Sequence, residues 1–207
     1  MIIIFYKIKS ILVAIIIIFF SQSSVLAQSK GLDTLFGQLL TIGAADAPKI
    51  EVKILLEWSK TGSPAMDILL KRAKIALSDK DYDTALDHLN ALTDHAPDFV
   101  EGWSLSAVAL QQVGKTGIAL NRIERTLAIE PRHFYALSGL FVILEDAGLF
   151  FEASEVINMI EAIHPHFEKL NTMRQRLEVK TQGQALYSLK GMSYGPRQSH
   201  RCRTRPN

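Results

Sequence analysis

The sequence predicts an all-α protein: a superhelix of antiparallel helix hairpins closed at both ends by further helices. Three observations predict it. Proline stands at 97, 131 and 165 and alanine at 85, 119 and 153, so two independent columns share a spacing of 34 residues. A branched aliphatic follows each alanine by four residues (Leu89, Ile123, Ile157), which puts it on the same helix face one turn on. Both flanks of the repeat carry apolar residues at helical spacing. A period of this size is the mark of stacked units, none of which buries its apolar stripe alone.

Taken in order, residues 1–27 read as a secretory signal peptide. Lys7 and Lys9 precede the apolar run from Ile11 to Phe20, and small and polar residues lead to Val25-Leu26-Ala27, with cleavage expected between Ala27 and Gln28. Ten apolar residues make a helix of roughly 15 Å, about half of a hydrocarbon core. An uncleaved membrane tether is the alternative, since Ile2 to Tyr6 are also apolar. No cysteine follows the run, and Cys202 is the only cysteine in the chain, so no disulfide closes within it.

Charge supports a solvated body and excludes nucleic acid as a partner. The chain has 23 basic and 21 acidic residues, but Lys7, Lys9, Lys190, Arg197, Arg201, Arg203 and Arg205 lie in its two ends. The body keeps 16 bases against 21 acids, a balance that repels phosphate backbones.

Residues 28–181 form the helical domain. Over 32–61, Leu32, Leu35, Phe36, Leu39 and Leu40, then Ile50, Ile54, Leu55 and Trp58, give one helix pair, with Pro48 suited to a first turn. It is expected to pack on the first repeat as an N-terminal cap. The repeats run 66–99, 100–133 and 134–167. In each, the alanine allows two helices to approach closely, and the proline ends the second helix by lacking an N–H. Gly114 and Gly148 occupy a turn column whose first member is Lys80, and the run from Asp79 to Tyr82 offers capping oxygens. Over 168–181, Leu170, Met173 and Leu177 predict one amphipathic helix, with Arg174, Arg176 and Lys180 on its solvent side. Residues 182–207 read as a disordered basic tail.

These columns resemble the tetratricopeptide repeat, whose pattern runs W-x2-L-G-x2-Y, A-x3-F, P. The second unit reads Trp103-x2-Ser106-Ala107-x2-Leu110, Ala119-x3-Ile123, Pro131. Leu69 and Leu137 stand for Trp103 in the other units, and Phe141 replaces the small residue in the third, where a splayed hairpin is expected. The resemblance covers residues 66–167. A looser one, carried by Gly62 to Leu70, Ala96 to Trp103 and Pro131 to Phe134, is to small signal-bearing bacterial tetratricopeptide proteins and implies export.

Motifs of catalysis fail on inspection. Gly114-Lys115-Thr116 imitates a phosphate loop, but Ala109 stands where its first glycine belongs and a helix precedes it. Asp79, Asp81 and Asp83 imitate a calcium loop, but Thr84 and Asn90 replace its glycine and its glutamate. His88 and His95 lie about 10 Å apart on one helix, too far for one ion. The expectation is no enzyme, no cofactor and no metal.

The resemblance implies a concave face lined by the first helix of each repeat. Its candidate partner-binding residues are Asp67, Leu70, Lys74, Glu101, Ser104, Val108, Gln111, Tyr135 and Val142. Relatives that clamp a C-terminal carboxylate use five polar positions. Here those are Leu70, Lys74, Leu105, Tyr135 and Gly139, so that mode is disfavoured. The expected function is a periplasmic or secreted scaffold that binds a protein or peptide on this face.

Overall fold

The computed structural model describes residues 30–192, with side chains over 31–182. The expected signal peptide and cleavage site, Cys202 and residues 193–207 lie outside the described residues. The described chain is helical throughout: α1 Lys30–Thr41, α2 Ala47–Trp58, α3 Pro64–Ser78, α4 Tyr82–His95, α5 Val100–Gln112, α6 Thr116–Ile129, α7 Phe134–Asp146, α8 Phe150–Ile163 and α9 Leu170–Met192. Helices α3/α4, α5/α6 and α7/α8 are the three hairpins, and α4 and α6 pack onto the hairpins that follow them.

Two junction types recur, each for a stated reason. Within a hairpin, Lys80, Gly114 and Gly148 sit at φ +60°, +74° and +73°. There the N–H of Asp81, Lys115 and Leu149 reaches back to the carbonyl of Ala76, Leu110 and Leu144 at 2.9 Å, satisfying a carbonyl the helix end would leave bare. Between hairpins, Ala96, Glu130 and His164 precede the three prolines with φ −132°, −132° and −141°, the extended geometry that a following proline ring imposes. Among the described residues, Lys80 is the one non-glycine residue in the left-handed region. Lys80→Gly is expected to raise stability by about 0.5–1 kcal/mol, the steric penalty relieved less the entropy glycine adds to the unfolded chain. Thermal unfolding followed by circular dichroism checks this.

The core follows the columns. Ala85, Ala119 and Ala153 are fully buried, with Leu89, Ile123 and Ile157 beneath them. Phe141 is fully buried too, and α7 and α8 stay packed together around it. Gly102 was not singled out in the sequence, yet a Cβ there would meet Thr93 Cγ2 at 3.0 Å, so it sets the approach of α5 to α4.

Both flanks differ from expectation. The helix pair α1/α2 does not sit on the first hairpin as an end cap. It folds back along the array, α1 packing against α8 and α2 meeting the start of α7. The periodicity correctly marked Phe36, Leu39, Ile50, Ile54 and Trp58 as the buried face, but an apolar stripe says nothing about which surface will cover it. The linker can turn the chain back because Gly62 takes φ +72°. At the other end, α9 continues to Met192 rather than stopping at 181. Arg174 pairs with Glu161 at 2.5 Å, whereas Arg176 and Lys180 reach inward to Glu145, whose side chain is wholly buried. A carboxylate so enclosed would be costly without such partners.

Candidate partner-binding groove

Counted from Met66, Val100 and Phe134, the second, fifth, ninth and twelfth positions of each repeat are the ones expected on the concave face. The structure divides the nine predicted residues into three groups. Tyr135 and Glu101 lie under α2. Tyr135 donates its hydroxyl hydrogen to Glu51 of α2, and Glu101 is buried beside Lys74 (3.4 Å) and His133. Leu70, Ser104, Gln111 and Val142 are turned into the array: Leu70 and Ser104 are buried, Val142 is half-buried, and Gln111 donates to the Gly139 carbonyl at 2.9 Å. Only Asp67, Lys74 and Val108 remain exposed. With Leu70, Lys71, Ile75 and Ser78, Asp67 and Lys74 line an open groove of about 380 Å³ along α3.

The covered part of the face is a dense aromatic site that the sequence reading missed. Trp58, the last residue of α2, stacks on His133 with centroids 4.0 Å apart and planes 11° from parallel. Phe134 lies 5.2 Å from Trp58, 5.1 Å edge-on to His164 and 5.5 Å from Phe167. The signal was in the repeat itself: Phe99, His133 and Phe167 are one column at the 34-residue spacing.

Polar contacts fix the register. The Ala136 N–H donates to His133 Nδ1 at 3.1 Å, capping α7, so the neutral ring carries its hydrogen on Nε2. That nitrogen points toward Glu101 Oε2 at 3.8 Å, beyond hydrogen-bond reach. His164 Nε2 meets Glu51 Oε2 at 3.1 Å. The His164 hydrogen bond holds the Glu51 carboxyl below the ordinary carboxylate range against an opposing effect of burial, with Tyr135 and the charges of His164 and Lys169 assisting. Burial, then the Glu51 contact, pushes the Tyr135 phenol well above its usual range. Farther along, Lys74 Nζ donates to Ser59 Oγ at 2.9 Å. Arg132 binds Asp33 at 2.9 Å and Glu130 at 3.0 Å while lying 4.2 Å over the Phe36 ring.

Favourable and unfavourable terms meet at this interface. Burying Phe36, Ile50, Ile54 and Trp58 contributes about 1.5–3 kcal/mol each across α1/α2 and the array. Against it stand Trp58 Nε1, His133 Nε2 and His164 Nδ1, which are buried without a hydrogen-bond partner. Each such atom costs about 1–3 kcal/mol.

Among the described residues no three His, Cys, Asp or Glu side chains gather as a metal site, and no helix is long and apolar enough to cross a membrane. What the geometry offers is shape and amphipathic surface.

Comparison with known proteins agrees with this architecture. No protein-family model matches the chain. A TPR repeat-containing protein of Rhizobium etli is 38% identical over 118 residues, 56% of this chain and 58% of its own length. The chain therefore spans little more than half of that relative. Among solved structures, the TPR2B domain of yeast Sti1 in its pHsp70 complex superposes at TM-score 0.53 with 15% identity, over 58% of this chain and 99% of that one. The Sgt2 TPR domain from Aspergillus fumigatus gives 0.53 with 19% identity, over 69% and 92%. The Arabidopsis OM64 TPR domain gives 0.52 with 13% identity, over 55% and 93%. The helical array is thus a tetratricopeptide-type fold, as the proline and alanine columns predicted.

Proposed function

We propose that this tetratricopeptide-type chain is an exported scaffold that binds a protein or peptide partner in the cell envelope and performs no catalysis. The observation that carries the reading is the strip of concave face left open. Exposed Ile75 and the edge of Leu70 lie beside Asp67, Lys71 and Lys74 on an open strip of α3, apolar and polar side chains together, that suits an extended or helical peptide. The similar Sti1 domain was solved as a complex with pHsp70, which supports a peptide-binding role for this architecture. The sequence of residues 1–27, two lysines, then an apolar run, then small and polar residues, supports export.

A photo-crosslinking side chain at Ile75 or Val108 of the full-length protein, expressed in a bacterial cell, is expected to yield a discrete adduct. The same probe at the exposed Glu124 of α6 should not yield it. Equal adducts from both faces would sink the reading. Sequencing the mature N-terminus should return Gln28; a retained Met1 would favour the membrane-tethered alternative.

A further inference from the structure

The aromatic site under α2 is built to accept a helix. Its floor is the α7 cap His133 with Phe134 and Tyr135 of α7, and His164 and Phe167 lie behind them; its occupant presents Ile50, Ile54 and Trp58 at intervals of four, the spacing of one helix face. Glu51, beside the first anchor, supplies a carboxylate to the Tyr135 hydroxyl and His164 Nε2. Apolar anchors with one acid amount to a ligand description. They belong here to a segment of the same chain, joined to α3 through a linker that turns at Gly62.

We propose that α1/α2 is a displaceable resident of this site, and that the partner helix that replaces it carries the same signature. That signature is two branched aliphatics and a terminal tryptophan at intervals of four, with a carboxylate next to the first aliphatic. The proposal rests on the partner-binding reading above and deepens it. The fit of the resident is the evidence. All the buried side-chain nitrogens and oxygens without a partner among the described residues (Trp58 Nε1, His133 Nε2, His164 Nδ1) belong to this one interface. Elsewhere among the described residues, the buried side-chain nitrogens and oxygens all have partners. Each unpartnered atom in a native structure calls for an explanation, and a ligand that can improve on the resident has somewhere to gain. Tight burial of Ile54 and Trp58 keeps the open form scarce, so displacement needs a competitor rather than spontaneous release.

The test uses the full chain and a fluorescein-labelled synthetic peptide of residues 31–60, read by anisotropy. Affinity measured in this way is reduced in proportion to the fraction of protein with its site open. Trp58→Ala in the protein weakens the resident and is expected to tighten binding of the wild-type peptide by at least about tenfold. Glu51→Gln should act in the same direction by a smaller factor, and a peptide carrying its own Trp58→Ala should lose binding to both variants. Equal peptide affinity for wild type and both variants would overturn the proposal, as would no binding to any. A Trp58→Ala chain that loses its helical circular dichroism would also overturn it, because the pair would then be part of the core. The crosslinking at Ile75 and Val108 reads a different strip, so partner binding and displacement fail separately.

Discussion

Phe134→Ala is expected to lower the free energy of unfolding by about 3–5 kcal/mol, the range for deleting a fully enclosed aromatic ring. Phe134 has no exposed surface and is the hub of the molecule's aromatic contacts: Trp58 of α2, Tyr135 beside it on α7, His164 at the end of α8, and Phe167 before α9. Few residues touch both flanks and the repeat array at once. The cavity left behind is bordered by rings, which cannot collapse into it as flexible aliphatic chains would. Urea unfolding of Phe134→Ala beside Phe151→Ala decides the matter. Phe151 is 75% exposed, and its truncation should change stability by no more than about 0.5 kcal/mol. If the two variants unfold at the same urea concentration, the described packing around Phe134 is wrong. Loss of more stability than the cavity accounts for would show that α1/α2 departs together with the ring.

The hairpins were legible in the sequence because repetition turns weak local signals into columns. One alanine says little, but Ala85, Ala119 and Ala153 at a fixed interval mark three close helix crossings, and all three are fully buried. Proline and glycine columns likewise fixed the junctions. Lys80 could be aligned with Gly114 and Gly148 although its chemistry disagrees, and it adopts their left-handed backbone. The concave site was only half legible. Position in the repeat put Tyr135, Glu101 and Lys74 on one face, and Lys74 does pair with Glu101. It could not show that α2 covers that face, because α1/α2 has no column to align and long-range docking leaves no periodic trace. His133 shows the same limit from the other side. As an isolated histidine it carries no signal, yet as the middle of Phe99, His133 and Phe167 it is a ring position that Trp58 stacks on.

Removing the Glu51 carboxylate is expected to weaken the docking of α1/α2 and to change its dependence on pH. Glu51→Ala leaves the Tyr135 hydroxyl and His164 Nε2 without their acceptor, and each buried donor so stranded costs about 1–3 kcal/mol. The pH effect has two limbs of opposite origin. Glu51 has its carboxyl held below the ordinary range by the His164 hydrogen bond, so its stabilisation is complete above the unfolded carboxylate value of roughly 4.3 and is lost as pH falls through the lower folded value. Tyr135 is shifted upward by burial and by Glu51, so its contribution is complete below the unfolded phenol value of roughly 10 and is lost as pH rises toward the folded one. Wild type should therefore lose stability at both extremes. Glu51→Gln should lack its share of the acid limb, and Tyr135→Phe should lack its share of the alkaline one, to which Lys49, raised by its bond to Asp46, also contributes. Asp81, whose carboxyl is lowered by its bond to Thr84, contributes an acid limb common to every variant, so the difference between curves isolates Glu51. Urea midpoints at pH 7, 4, 3 and 10.5 measure this. Superimposable acid limbs for wild type and Glu51→Gln would mean that Glu51 and His164 do not hold α2 in place.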